Sequence, residues 1–317
     1  MKDYVKGRLL DAGAVAVGFA KAGAVSDDLQ RDYFEWIAEG MHAEMDYLKR
    51  HLPLKSHTDS VLPGAKTVIS MAFGYKPYSI PGEPSSFVAP YARLEDYHLV
   101  TRERLMPVVE EFKEKFGGEW RICIDSAPVA ERYWALQAGL GRKGLNGAVI
   151  VEGVGSYCFL AEILTTLEAE RDAPDSGECD RCGRCVSECP GNAICGDGRI
   201  DAGKCINYLT IEKKSDFTGS DIEILKRGNF PLFGCDICMR VCPHNREARN
   251  DGKSRNLDNI FPQVAEIETL TPEKILGMEP AEFKQKFSRS PLYYAGLKRL
   301  RRNAGISQNG SSKSSSE

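Results

Sequence analysis

Nine of the eleven cysteines in this 317-residue chain fall between positions 179 and 242, and no other side chains in it hold as much potential chemistry. Cys179, Cys182, Cys185 and Cys189, followed by Pro190, read C-x2-C-x2-C-x3-C-P. Such a run gathers three thiolates around one [4Fe-4S] cluster and sends its fourth cysteine to a second cluster. The partner run appears downstream as Cys235, Cys238 and Cys242 before Pro243, with Leu232 where its first cysteine would fall. Exchange of ligands between the runs assigns Cys179, Cys182, Cys185 and Cys242 to cluster one, and Cys189, Cys235 and Cys238 to cluster two. Cluster two still needs a fourth thiolate. Cys205 and Cys195 are the candidates, and Cys205 is preferred because it opens an amphipathic helical pattern, Ile206, Tyr208 and Leu209, that can fix its direction.

Zinc and disulfides are the competing uses of cysteine. Structural zinc takes closed sets of paired cysteines or histidines and leaves no half-run that must borrow a ligand. Disulfides need an oxidising compartment. The opening Met1–Leu10 is charged and lacks the apolar core of a signal peptide, which points to the cytoplasm and to free thiols. Cys123, Cys158 and the spare Cys195 are then expected to pack as small apolar side chains.

The rest of the chain must position these thiols. A length of 317 residues with 42% hydrophobic side chains suffices for one large domain or two moderate ones. No apolar run approaches the ~20 residues of a membrane span. The net charge of −3 argues against bulk affinity for nucleic acid and leaves room only for a local basic patch.

Periodicity predicts a helix over 2–12, a buried strand over 14–20, and a helix capped by Ser26 with an inward stripe of Leu29, Tyr33, Phe34, Trp36 and Ile37. A further helix is expected over 40–48, a strand over 67–73 and a long irregular loop over 74–92. A helix over 97–116, with Leu99, Leu105, Val108, Val109 and Phe112 inward, precedes a strand over 120–124. Segments 148–151 and 157–164 read as strands, or as a strand and a short helix. Short helices are expected over 261–278 and 280–287. Lys298, Arg299, Arg301 and Arg302 form a basic patch, read either as a solvated helix end or as a contact for phosphates. The domain scheme is 1–170, 171–250, 251–307 and a serine-rich disordered tail over 308–317.

Asp125-Ser126-Ala127-Pro128, at the end of the strand over 120–124, is the second informative stretch. Sheets of α/β proteins place ligands at such strand ends. Helix capping is the plain alternative, since Asp and Ser are favoured N-caps and Pro suits a first turn. The glycine cluster Gly139, Gly141, Gly144 and Gly147 would let backbone approach a flat cofactor. It lacks the spacing of a dinucleotide fingerprint.

In combination these residues resemble the epoxyqueuosine reductase family of cobalamin-dependent iron–sulfur enzymes. The resemblance rests on Gly40-Met41-His42-Ala43-Glu44-Met45, Leu62-Pro63-Gly64-Ala65-Lys66, Asp125-Ser126-Ala127-Pro128-Val129 with Glu131-Arg132, Ala138-Gly139-Leu140-Gly141, Gly155-Ser156-Tyr157, both cysteine runs, Cys205-Ile206-Asn207-Tyr208-Leu209-Thr210 and 287–303. It implies an α+β fold, with a nitroreductase-like N-terminal domain and a mainly helical two-cluster module. It implies Asp125 as proton donor and base-off cobalamin held by Lys55, Asp125, Asn146, Val149, Leu160 and Asn207. It further implies tRNA carrying epoxyqueuosine as substrate, bound through Lys298, Arg299, Arg301 and Arg302, and a low-potential electron donor as partner. Arg142 and Leu145 depart from the aromatic and the lysine usual in the glycine turn.

Opening an epoxide and releasing its oxygen as water leaves an alkene and consumes two electrons and two protons. A low-potential metal centre fed singly from a cluster can supply the electrons. To donate a proton at neutral pH, Asp125 would need a pKa raised by burial beside an apolar cofactor. Two other readings keep the cysteines: a corrinoid reductase of a small molecule, such as a dehalogenase-like enzyme, and a non-enzymatic electron carrier.

Overall fold

The computed structural model describes residues 1–75, 87–174, 177–245 and 260–311, with side chains to 306. Its centre is a four-stranded sheet, β1 (Ala16–Lys21), β2 (Thr67–Gly74), β6 (Cys158–Thr165) and β3 (Trp120–Cys123), ordered β1-β2-β6-β3 with every pairing antiparallel. The fold is therefore α+β.

Alternation along β2 divides the core in two. Ile69, Met71 and Phe73 face α1 (Lys2–Asp11) and α4 (Tyr97–Phe116), where Val5, Leu9, Leu105, Val108, Val109 and Phe112 meet them. Val68 and Ala72 face α5 (Glu131–Gln137), packing with Trp134, Ala135 and Ala138. Period-two burial on both faces is what a strand covered on each side by helices requires. Leu99, expected inward on α4, is instead exposed, because it sits one residue from the buried stripe that starts at Val100.

Two helix expectations need correction. Ser26 does cap α2 (Asp27–Ala38), its Oγ accepting the Leu29 N–H at 3.3 Å, yet no residue of α2 is buried and Phe34 stands in solvent. The aromatic stripe does not enter the sheet core. Trp36 turns toward the cysteine module, donating Nε1–H to the Ile200 carbonyl at 2.7 Å, and Tyr33 stacks on it. The helix expected over 40–48 starts only at α3 (Tyr47–Lys55). Residues before it form turns, with Ala43 at φ 51°, and bind the module through Ala202 N–H to the Met41 carbonyl and Glu44 N–H to the Tyr208 hydroxyl.

The glycine cluster is also more regular than expected. Gly141–Lys143 is β4, paired antiparallel with β5 (Val149–Val151), and a Cβ on Gly141 would lie 2.1 Å from the Ile150 carbonyl. That glycine permits a close strand pairing.

C-terminal helices Ala265–Glu268, Pro272–Gly277, Pro280–Phe287 and Leu292–Ser311, the last broken at Gly296, pack around Val88, Ala92, Leu232 and Phe233. The segments assigned to separate domains thus share one apolar cluster. The last helix covers 308–311 of the proposed tail, and 312–317 lie outside the described residues, as do 76–86 of the long loop.

Candidate active site and cluster module

Cys179, Cys182, Cys185 and Cys242 line one small void, together with Leu145, Asn146 and Ile150. Cys242 has crossed from the second run to complete the first set. Burial raises the Cys185 thiol above its ordinary pKa, and Cys179, Cys242 and Cys182 add to the shift. The second set assembles in the same way. Burial pushes Cys235 and Cys238 up to about 12, and both feel Cys205 and Cys189. Cys195 is exposed, its Sγ 3.9 Å from the Ala193 carbonyl, and stands apart from either set. Cys205 is thereby favoured over Cys195. Among the described residues no three such side chains close on the centre of a single metal ion. The first set lines a common void, and ligation by iron would remove the protons that burial holds on the thiols.

Short contacts fix the module to the sheet. Asn245, just past Cys242, is buried; its Oδ1 accepts the Ser156 N–H at 2.7 Å, and its Nδ2 donates to Ser156 Oγ at 3.0 Å and the Met239 carbonyl at 2.6 Å. Gly155 has φ 82°, and a Cβ there would sit 2.2 Å from Asn245 Oδ1, so only glycine fits. Tyr157 donates its hydroxyl to Asp236 at 3.0 Å. Asn207 brackets Cys235, accepting its N–H at 2.8 Å and donating to its carbonyl at 3.2 Å. The helical pattern after Cys205 is a π-turn, Tyr208–Glu212, a geometry frequent at functional sites.

Asp125 lies past the end of β3, and α5 begins only at Glu131 with Ala130 as its N-cap. Neither Asp125 nor Ser126 caps that helix, so the plain explanation of the motif does not apply. Asp125 instead adopts φ 45° and leaves its side chain 60% exposed, with Oδ2 at 3.2 Å from Nε2 of His98. His98 was not singled out from the sequence. Asp96, the N-cap of α4, accepts both the His98 N–H at 2.9 Å and its Nδ1 at 2.7 Å, and Tyr97 stacks on the imidazole at 4.0 Å. The available signal was an N-cap aspartate followed two residues later by histidine at a helix start.

Electrostatics here correct the expectation of a raised Asp125 pKa. The hydrogen bond from His98 is the largest influence and holds the Asp125 carboxyl below its ordinary range, outweighing desolvation. Burial works against protonated His98, but its bonds to Asp125 and Asp96 push it up to about 9. At neutral pH the proton sits on the imidazole and the pair is ionic. Glu131, whose carboxyl accepts the Asp125 N–H, is raised to about 7 by desolvation and then by the charge of Asp125.

The residues expected to contact cobalamin are dispersed around this centre. Burial lowers the pKa of Lys55, whose ammonium feels Glu131 and Asp125. Asn146 lines the first void and also bonds Cys238. Val149 is buried within β5, Leu160 is partly buried on β6, and Asn207 is occupied by Cys235. Tyr91 connects the two halves: it packs over Gly234, next to Cys235, and its phenol feels Cys205 and Cys235 as well as Asp125. Tyr47 and Tyr294 likewise stand within the field of Asp125.

The expected basic patch is largely committed inside the molecule. Arg302 donates to the carbonyls of Leu209, Lys213 and Ser215 at 3.0, 2.8 and 2.7 Å and lies over the Phe217 ring. Arg301 donates to the Met278 carbonyl at 2.6 Å, and Arg299 to that of Ile211. Lys298 is exposed.

An antiparallel α+β domain carrying an ionic Asp–His pair beside a double set of cluster cysteines defines a two-cluster iron–sulfur oxidoreductase. Residues 178–245 match the family model "4Fe-4S double cluster binding domain", and 55–126 match "Epoxyqueuosine reductase QueG, DUF1730". An epoxyqueuosine reductase of Cyclobacterium marinum is 36% identical over 282 residues, 86% of either chain. The chain belongs to the epoxyqueuosine reductase family. The structure of the Streptococcus thermophilus epoxyqueuosine reductase superposes with a TM-score of 0.79 at 26% identity, covering 97% of this chain and 80% of that one. A crystal structure of an epoxyqueuosine reductase with an epoxyqueuosine-modified tRNA-Tyr stem loop has a TM-score of 0.79 at 24% identity, covering 96% and 80%.

Proposed function

We propose that this chain reduces epoxyqueuosine to queuosine in tRNA, in the cytoplasm, with electrons entering from a low-potential donor through its two [4Fe-4S] clusters. The observation that carries the reading is the Asp125–His98 pair at 3.2 Å, with its carboxylate exposed, in a chain whose cysteine runs match a double-cluster domain. On this reading proton delivery from that pair and electron delivery from the clusters serve one substrate.

Cobalamin suits that place. Tyr33 carries a buried hydroxyl with no partner, and Lys55 lies over the Tyr33 ring at 6.0 Å with its ammonium mostly withdrawn from water. These are groups that await a large polar-edged ligand. Lys55, Asp125, Asn146, Val149, Leu160 and Asn207 are proposed to hold it. Bound there, it would supply the low-potential reductant that acts on the epoxide carbon. His98 holds the first proton at Nε2, against Asp125 Oδ2, and Asp125 passes it to the epoxide oxygen as the C–O bond opens. Solvent restores the proton to His98, and the oxygen leaves as water after the second.

The substrate edge of the site is aromatic. Tyr47 and Tyr294 rim the approach to Asp125 and suit stacking of an unpaired nucleobase, the usual way single-stranded RNA is held. Lys298 and Arg299 are proposed to contact phosphate, while Arg301 and Arg302, from the same expected patch, contribute charge from behind. That internal commitment favours one rival, a corrinoid reductase of a small molecule. Anaerobic reconstitution with iron, sulfide and cobalamin, followed by loss of epoxyqueuosine from tRNA, tests the reading. Turnover of the free nucleoside with no gain from tRNA would establish the rival.

A further inference from the structure

Glu162, in the middle of β6, points to the face of the sheet covered by α5 and is fully buried. Its Oε1 accepts the Ser70 hydroxyl at 3.0 Å, and its Oε2 has no partner. An ionised carboxylate there would be both desolvated and half-satisfied, so Glu162 is held as the neutral acid. Desolvation raises its pKa far above the usual range, and the charge of Glu131 raises it further.

Glu131 opens α5 on that same face, and its Oε1 accepts the main-chain N–H of Asp125, six residues upstream. Asp125 sits at φ 45°, and Ser126 folds its N–H back on the Ile124 carbonyl. A left-handed conformation at a residue with a Cβ persists only where its surroundings impose it. The Ser126 hydroxyl also donates to the Ile124 carbonyl at 3.2 Å, the N-cap Ala130 adds no hydrogen bond, and Glu131 is the side chain that binds the main chain of Asp125 itself.

We propose that Glu131 is the positioning residue of this active site: its carboxyl anchors the Asp125 N–H, imposes the left-handed turn, and so aims the Asp125 carboxylate at His98. The neutral Glu162 supports this by placing no further negative charge on the same face, so that an acceptor oxygen of Glu131 is all the turn requires. The proposal rests on the reading of Asp125 and His98 as the proton-delivering pair.

The test is an NMR titration of histidine-labelled, cluster-loaded protein, which reads the His98 imidazole directly. In the wild type His98, held by Asp125 and Asp96, is expected to titrate at about 9, and Asp125→Asn defines the lower value reached when the partner carboxylate is lost. Glu131→Leu is expected to shift His98 downward to the Asp125→Asn value, whereas Glu131→Gln, which keeps an acceptor oxygen in place, is expected to retain the wild-type titration. Glu131→Asp, with its shorter reach, gives the downward shift if the leucine variant does not fold. An unchanged His98 titration in folded Glu131→Leu or Glu131→Asp overturns the proposal, and so does a Glu131→Gln protein that behaves like the leucine variant. Absence of tRNA turnover in the wild type, with the titration behaving as expected, would count against the proposed reaction and leave the positioning role standing.

Discussion

Asp125 and His98 face each other at 3.2 Å, and Asp96 grips the far nitrogen of the same imidazole at 2.7 Å. A histidine between two carboxylates keeps its proton through neutrality. This places the proton on nitrogen at neutral pH, and the part proposed for the carboxylate is to convey it.

A pH dependence follows from that arrangement. His98 is raised from 6.5 to about 9, so its ion pair stabilises the fold fully below 6.5 and loses that contribution as pH rises through about 9. Asp125, lowered, loses its share only as pH falls through its depressed value. Single-turnover rates should therefore decline above about pH 9, and His98→Gln should abolish that limb. A wild-type profile flat beyond pH 10, about one unit past the His98 value, would show that His98 does not hold the working proton.

Removing the carboxylate separates chemistry from assembly. Asp125→Asn should retain both clusters, because no cysteine contact of Asp125 is lost, and the corrinoid, through its five other proposed contacts and the isosteric amide, while turnover falls by about 10²-fold or more, the usual worth of a general acid. Iron content and a visible spectrum measured beside the rate decide it; full activity would remove Asp125 from this role.

The ligand assignment is open to iron counting. Reconstituted protein should bind about eight irons, four for each cubane. Cys205→Ala should lose the second cluster or leave it labile, whereas Cys195→Ala should keep the full complement. The reverse result would transfer the fourth ligand to Cys195.

Asn245 ties the module to the segment leading into β6 by two buried hydrogen bonds with Ser156, and holds the Met239 carbonyl of its own module by a third. Asn245→Ala should lower stability by about 3 kcal/mol, since the Ser156 N–H and the Met239 carbonyl lose their partner out of reach of water. Gly155→Ala should do similar harm by forcing a Cβ against the same side chain. Chemical denaturation of the cluster-loaded proteins reads both, and unchanged midpoints would mean the contact is not a structural tie.

Binding of tRNA should respond differently to the two kinds of rim residue. Lys298→Ala should weaken binding and reduce the slope of log K against log salt by about one, as loss of one phosphate contact does. Tyr294→Ala should weaken binding at all salt concentrations with the slope unchanged, by about 1–3 kcal/mol for a lost base stack. Equal salt slopes for Lys298→Ala and wild type would place the phosphates elsewhere.

The cysteine spacing by itself pointed to a double-cluster module over the two runs, the domain that 178–245 match, and to the meeting of Cys242 with Cys179, Cys182 and Cys185 around one void, because ligand geometry around a cubane is written into local sequence separation; it left the choice between Cys205 and Cys195 open. Strands, most helix positions and the place of Asp125 at a strand end were legible for a related reason: hydrophobic period and turn residues are local properties. What tertiary structure decided was everything set by a neighbour distant in sequence. The stripe on α2 carries the same periodicity whether it meets a sheet or the cysteine module, and only the docking of Trp36 on Ile200 distinguishes them. Arg301 and Arg302 look like a nucleic-acid patch until the carbonyls of 209–215 and Met278 are brought under them. The protonation of Asp125 could not be read from its own motif, because the group that fixes it, His98, arrives from another helix 27 residues away and reverses the direction that burial alone would give.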